Sequence, residues 1–119
     1  MNAETVQQTD PSQVLAKATL RAAQALGLRG AELTAIIGRD RSSLSRSGID
    51  PHSKSGELAL LLIRCYRSLA VMVDSNAEQM QHWMQTDNNH TGGVPAEQLG
   101  SITGLVAVTG YLDAIRGRL

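Results

Sequence analysis

The sequence has no phenylalanine, one tryptophan, two tyrosines and one cysteine among its 119 residues. Hydrophobic residues still make up 42% of the chain, so a core is possible, but aliphatic side chains must fill it. Aliphatic side chains pack well between helices, whereas β-sheets depend more on aromatic and β-branched residues. The composition therefore favours an all-α fold. The length suits one compact core, or two small helical subdomains that share one.

Other absences narrow the class of protein. A lone cysteine, Cys65, cannot form an internal disulfide, which fits a reducing cytoplasm. The first residues are polar and acidic, unlike a signal peptide, and the longest apolar stretch, 58–63, is too short to span a bilayer. The formal net charge of zero argues against a protein that coats nucleic acid nonspecifically. We therefore expect a cytoplasmic protein without membrane contact.

Helix start and stop signals indicate about seven helices joined by short connections. Asp10 and Pro11 begin the first helix, and Gly27 ends it. The most apolar helix carries hydrophobic residues on two faces, which predicts a central position or a dimer interface. We expect three segments: a disordered arm at 1–9, a helix-turn-helix domain at 10–53 and a helical domain at 54–119. The further helices are predicted at Ala31–Ile37, at Arg41–Ser47, at Ser55–Asp74, after a capping box at Ser75–Glu78, after Pro95 and after Ser101.

Residues 28–46, LRGAELTAIIGRDRSSLSR, have the pattern of a helix-turn-helix. Leu33, Ile36 and Ile37 form the inner face of the first helix, and Leu44 anchors the second. Gly38 provides the turn, and Thr34 or Ala35 is the expected small residue at the contact between the helices. The second helix would enter the major groove of DNA. The residues predicted to contact DNA are Arg39, Arg41, Ser42, Ser43, Ser45 and Arg46, with Lys54 near the flanking backbone.

A plain helical hairpin with a glycine turn has a similar pattern, and this alternative stays open. The local charge favours DNA: from residue 39 to 67 the basic residues Arg39, Arg41, Arg46, Lys54, Arg64 and Arg67 outnumber the acidic residues Asp40, Asp50 and Glu57.

Enzyme chemistry is hard to find in this sequence. His52, His82 and His90 lie in separate segments without the spacing of metal ligands, and Cys65 lies inside an apolar helix. The loop from Asp87 begins like a calcium loop, but its twelfth position is Gln98 instead of glutamate, and Pro95 opens a helix inside it. No strand precedes Gly92-Gly93, so this pair is not a phosphate loop. We expect a protein that is not an enzyme and binds no metal, cofactor or small-molecule substrate.

With these segments identified, the chain resembles the Xre/MbcA/ParS antitoxin family over residues 15–119. The front motif is similar to the Xre-like helix-turn-helix. The back half is the more specific part, and it resembles the toxin-binding domain of the family. Its motifs are Tyr66-Arg67-Ser68-Leu69, Trp83, the turn from Asn88 to Gly93, Pro95, and the final segment from Gly104 to Ala114.

The resemblance implies an antitoxin that inhibits a RES-domain toxin, which acts on NAD, and that represses its own operon by binding operator DNA. Symmetric DNA half-sites and the surplus apolar face of the helix at 55–74 predict a homodimer. Family antitoxins commonly block the active site of the toxin with their C-terminal end. In this chain, that end is Arg116, Gly117, Arg118 and Leu119. Two guanidiniums suit a cleft for an anionic dinucleotide, although a basic end also complements the dipole of its own helix. The alternative is a stand-alone transcriptional regulator without a toxin partner.

Overall fold

The computed structural model describes residues 10–118, and the predicted arm at 1–9 and Leu119 lie outside them. The all-α prediction is confirmed: the described residues form seven helices, together with one isolated antiparallel bridge between Asn88 and Gly93. The helices are α1 (Pro11–Leu26), α2 (Gly30–Ile37), α3 (Arg41–Ser47), α4 (Lys54–Met72), α5 (Ala77–Gln85), α6 (Pro95–Gln98) and α7 (Ile102–Arg116).

The first helix begins and ends as the local signals predict. The Asp10 carboxylate accepts a hydrogen bond from the Ser12 N–H at 3.0 Å, and Pro11 is the first helical residue. Gly27 caps the C-terminus in the left-handed conformation. These interactions join residues close in sequence, which explains why the sequence alone predicts them.

The cap of α5 differs from the prediction by one residue. Asp74 and Ser75 both have positive φ angles, 52° and 59°, in the connection after α4. Ser75 is therefore not in the extended conformation that a helix cap requires. Asn76 is the N-cap instead, and its side-chain oxygen accepts a hydrogen bond from the Gln79 N–H at 2.8 Å.

Helix α4 lies at the centre of the fold, as predicted, and packs against α1, α2 and α7. Its buried side chains join those of the other helices in one aliphatic core. The helical spacing of apolar residues in α4 predicts buried side chains, and Leu62, Cys65 and Leu69 are fully buried. The Ser55 hydroxyl donates a 3.1 Å hydrogen bond to the Ile37 carbonyl, which fixes the start of α4 against the end of α2. The front and back halves of the chain thus share one central helix.

Candidate DNA- and toxin-binding surfaces

Helices α2 and α3 form the predicted helix-turn-helix. Gly38 connects them with φ of 84°, a left-handed conformation that favours glycine. The predicted apolar face is confirmed, because Leu33, Ile36, Ile37 and Leu44 are all buried. The predicted small contact residue is wrong: Thr34 and Ala35 are both exposed. The four buried aliphatic side chains of α2 and α3 pack in the core instead.

Arg39, in the turn, binds back onto its own motif. Its guanidinium donates to the Gly48 carbonyl at 2.7 Å, and to the Ser43 carbonyl and hydroxyl at 3.0 and 2.9 Å. Gly48 is the C-cap of α3, and a cation at this end of a helix also complements the helix dipole. Arg39 and Ser43 are both partly buried. Their polar groups therefore hold α3 in place instead of pointing freely into solvent.

The other predicted DNA-contacting residues are exposed on α3. Arg41, Ser42, Ser45 and Arg46 all lie on the solvent side of the helix. Leu44 is the only fully buried residue of α3 and Ser43 is partly buried, so the other side chains of this short helix are open to a partner. These four side chains supply two guanidiniums and two hydroxyls, the groups that contact phosphates and base edges.

Helix α1 adds two cations to this surface that the sequence analysis missed. Lys17 and Arg21 are exposed and line a cleft of about 580 Å³ together with Arg41 and Ser45 of α3. No salt bridge involves Lys17, Arg21 or Arg41 among residues 10–118. The available signal was the polar stripe Gln13, Lys17 and Arg21, which recurs every four residues on one face of α1. Only the packing of α1 against α3 brings this stripe beside the helix-turn-helix.

In the back half, α4 and α7 are joined by a buried polar contact. The Ser68 hydroxyl donates a 2.7 Å hydrogen bond to the Asp113 carboxylate. The other Asp113 oxygen lies 2.8 Å from Nε of Arg64. Two segments that the sequence analysis singled out, Tyr66–Leu69 and Gly104–Ala114, are thus held together by side chains from each.

The loop between α5 and α6 is closed by its own residues. The Asn88 side chain accepts from the His90 and Thr91 N–H groups at 2.8 and 3.2 Å, and Gln98 donates to the Thr91 carbonyl at 2.6 Å. His90 stacks on Tyr111 with ring centroids 5.6 Å apart. This network positions the loop against α7.

The C-terminal end follows directly from α7. Arg116 is the last residue of the helix, and Arg116, Gly117 and Arg118 are all exposed. Leu119, the fourth residue of the predicted toxin-binding end, lies outside the described residues. The two arginines therefore present their charge at one tip of the molecule.

Two protein-family models match the chain. The antitoxin Xre-like helix-turn-helix domain matches residues 6–64. The antitoxin Xre/MbcA/ParS C-terminal toxin-binding domain matches residues 68–118. The chain belongs to the Xre/MbcA/ParS antitoxin family. No curated protein matches it.

In this antitoxin, the two matched segments meet inside α4, between residues 64 and 68. The helix-turn-helix match contains α1, α2, α3 and the cleft between α1 and α3 that Lys17, Arg21 and Arg41 line. The toxin-binding match contains the Ser68–Asp113 contact, the closed loop and the exposed end at Arg116. The antitoxin thus combines a DNA-binding motif and a toxin-binding domain around one shared helix.

Cys65 and Trp83 both pack within the fold of this antitoxin. Cys65 is fully buried, and burial raises the pKa of its thiol to about 12, so the thiol is protonated at neutral pH. Trp83 is half-buried and stacks on Tyr111 at 6.5 Å. Within residues 10–118, no three His, Cys, Asp or Glu side chains are grouped as metal ligands would be. No helix in the same range is long and apolar enough to cross a membrane.

Proposed function

We propose that this antitoxin neutralises a RES-domain toxin, which acts on NAD, by placing its C-terminal end in the toxin's active site. The observation that carries the proposal is the exposed cationic end of α7 in a chain that matches a toxin-binding domain. A cleft that binds an anionic dinucleotide is expected to attract cations. Arg116 and Arg118 supply two guanidiniums, and Gly117 and Leu119 complete the segment that we propose to enter the cleft.

Co-expression with the adjacent gene tests this proposal. The neighbour should arrest growth when expressed alone, and this antitoxin should restore growth. A deletion of Arg116 to Leu119 should weaken the rescue, and the fall in NAD should then resemble that caused by the toxin alone. A variant with Arg116→Lys and Arg118→Lys is the matched control, because it keeps both charges. A harmless neighbour would leave the stand-alone regulator as the better explanation.

We further propose that the antitoxin represses its own operon through the helix-turn-helix. The segment 10–53 would bind DNA and the segment 54–119 would bind the toxin. Four exposed residues of α3, Arg41, Ser42, Ser45 and Arg46, would contact DNA directly. Arg39 and Ser43 would contribute by holding α3 in position, because their hydrogen bonds lie within the motif.

A gel shift on the operon's own promoter tests the DNA-binding proposal. The double variant Arg41→Ala, Arg46→Ala should lose the shift while it still rescues cells from the toxin. Loss of rescue with the shift retained would mean that the two activities are assigned to the wrong halves of the chain.

Repression of a symmetric operator requires a homodimer in this proposal. Exposed apolar side chains support it: Ile102 and Val106 lie one turn apart on α7 and are each more than half exposed. Analytical ultracentrifugation should give twice the mass of the chain, and Val106→Asp should lower it. A monomer at micromolar concentration would contradict the dimer.

A further inference from the structure

A second groove adjoins the cleft between α1 and α3, and the two share Val14 and Ala18 of α1. It is bounded by α1, α4 and the end of α7, and has a volume of about 540 Å³. Apolar side chains line it, and two of them are unusually exposed for their type: Val14 at 54% and Leu60 at 51%. Ile63 and Ala18 continue the apolar surface between them. An aliphatic surface left open in this way is typical of an interaction site.

Three arginines surround this groove. Arg64 and Arg67 come from α4, and Arg116 comes from the end of α7. Arg64 is paired with Asp113, since Nε of Arg64 lies 2.8 Å from Oδ2 of Asp113. No salt bridge joins Arg67 or Arg116 to a carboxylate within residues 10–118. Within the described part of the chain, the groove is therefore an apolar channel beside two arginines that no carboxylate pairs.

We infer that this groove binds an amphipathic, acidic helix of the toxin. The inference rests on the proposed function and adds to it a second contact besides the C-terminal end. Aliphatic residues of the toxin helix would cover Val14 and Leu60, and flanking Asp or Glu residues would pair with Arg67. Such an arrangement, an apolar face in a groove with charges at its edge, is a common way to bind a helix.

The position of Arg116 supports the toxin as the occupant. Arg116 lines the groove and is also the first residue of the end proposed to enter the toxin's active site. A toxin that accepts this end is thereby brought against the groove, so one partner contacts both surfaces. The groove also spans the two matched segments, since its apolar wall comes from α1 and α4 and its third arginine from α7.

Two other occupants fit the groove less well. In a symmetric dimer across this groove, each copy would add its own Arg67 and Arg116 to the interface, and these four cations would repel one another. A DNA backbone would satisfy the arginines but would leave the aliphatic side chains Val14 and Leu60 uncovered. An acidic amphipathic helix satisfies both features.

The affinity of the full-length antitoxin for the purified product of the adjacent gene tests this inference. Leu60→Asp should weaken binding by at least about tenfold, because it places a carboxylate in the apolar contact. Val71→Asp is the matched control: Val71 lies on the same helix, is 46% exposed and does not line the groove. It should bind like the wild type. Thermal unfolding followed by circular dichroism should show that both variants are folded.

A second pair of variants tests the charge. Arg67→Glu should weaken binding by at least about tenfold, whereas Arg67→Lys should retain most of the affinity. Raising the ionic strength should weaken the wild type more than Arg67→Glu, because the variant has lost the attractive charge pair.

The outcomes separate this inference from the proposed function. If the wild type neutralises the toxin while Leu60→Asp and Arg67→Glu bind it unchanged, the inference is wrong and the proposed function stands. If the wild type does not bind the neighbouring product, both fail. If Leu60→Asp instead converts a dimer to a monomer without affecting toxin binding, a second copy occupies the groove and the inference is overturned.

Discussion

Ser68 of α4 donates a 2.7 Å hydrogen bond to Asp113 of α7, across 45 positions of the sequence. Ser68 is completely buried, so no water can replace this acceptor. The contact fixes the angle at which the last helix leaves the core, and with it the direction of the end at Arg116. A hydrogen-bonded polar pair among mostly aliphatic side chains favours one arrangement of α4 and α7.

We predict that Asp113→Ala lowers the free energy of unfolding by about 2 kcal/mol, because it leaves the Ser68 hydroxyl buried without an acceptor. Ser68→Ala should cost less, about 1 kcal/mol, because it removes the buried hydroxyl itself and so leaves no buried donor without an acceptor. Urea unfolding followed by Trp83 fluorescence measures both. Arg64→Ala is the control and should change stability by less than about 1 kcal/mol, because Arg64 is 64% exposed. An Asp113 variant as stable as the wild type would contradict the role of this contact.

Two glycines of α7 should respond oppositely to the same substitution. A Cβ at Gly104 would overlap the carbonyl of Gln98, whereas a Cβ at Gly110 would meet nothing within 4 Å. Gly104→Ala should therefore destabilise the fold by about 1–3 kcal/mol, through displacement of α7 from α6. Gly110→Ala should stabilise it by about 0.5–1 kcal/mol, because alanine favours the helix interior. Thermal unfolding of the pair measures the difference, and a shift in the same direction for both would contradict the close approach at Gly104.

Arg39 and Arg41 should have separable effects, although both were predicted to contact DNA. Arg39→Ala removes the hydrogen bonds to Ser43 and Gly48 and should cost about 1–3 kcal/mol of stability. Arg41→Ala removes an exposed side chain and should change stability by no more than about 0.5 kcal/mol. Urea unfolding and a gel shift, measured on both variants, test this. Equal stability of the two variants would mean that the Arg39 contacts contribute nothing to the fold.

Lys17 and Arg21 should contribute to DNA affinity without contributing to sequence preference. Both lie beside Arg41, and cations of this kind contact phosphates. Each substitution by alanine should reduce the slope of log affinity against log salt by about one. Binding to the operator and to an unrelated duplex should weaken by the same factor. A loss confined to the operator would instead indicate contacts with base edges.

Cys65 should make stability fall at high pH. Burial raises the pKa of its thiol from 9.0 to about 12. In the unfolded chain the thiol ionises from about pH 9, whereas in the folded chain it keeps its proton up to about pH 12. The contribution of the Cys65 thiol to the free energy of unfolding is therefore fully present below pH 9 and is lost as the pH rises towards 12. Between pH 8 and 10 the wild type should lose about 1 kcal/mol more than Cys65→Ala. An equal fall in the free energy of unfolding of the two proteins between pH 8 and 10 would contradict the raised pKa of Cys65.

Much of the helix pattern is determined by the sequence alone. Asp10, Pro11, Gly27 and Gly38 act on neighbouring residues through capping hydrogen bonds and allowed backbone angles, so their effect is independent of the rest of the fold. The aliphatic spacing of α4 likewise predicts its central position. The prediction that Ser75 caps α5 is wrong for the opposite reason. The positive φ angles at Asp74 and Ser75 arise from the path of the connection after α4, which no local signal indicates.

The tertiary structure alone decides how distant side chains combine. It directs Arg39 onto the Gly48 carbonyl at the end of α3, places Lys17 and Arg21 of α1 beside Arg41, and joins Ser68 to Asp113. It also assembles the arginine-lined groove from three helices. Helical periodicity specifies which face of each helix is buried, but the angle and register at which two helices pack depend on the complete set of core side chains. Residues that meet across those interfaces are therefore determined only when the whole chain has folded.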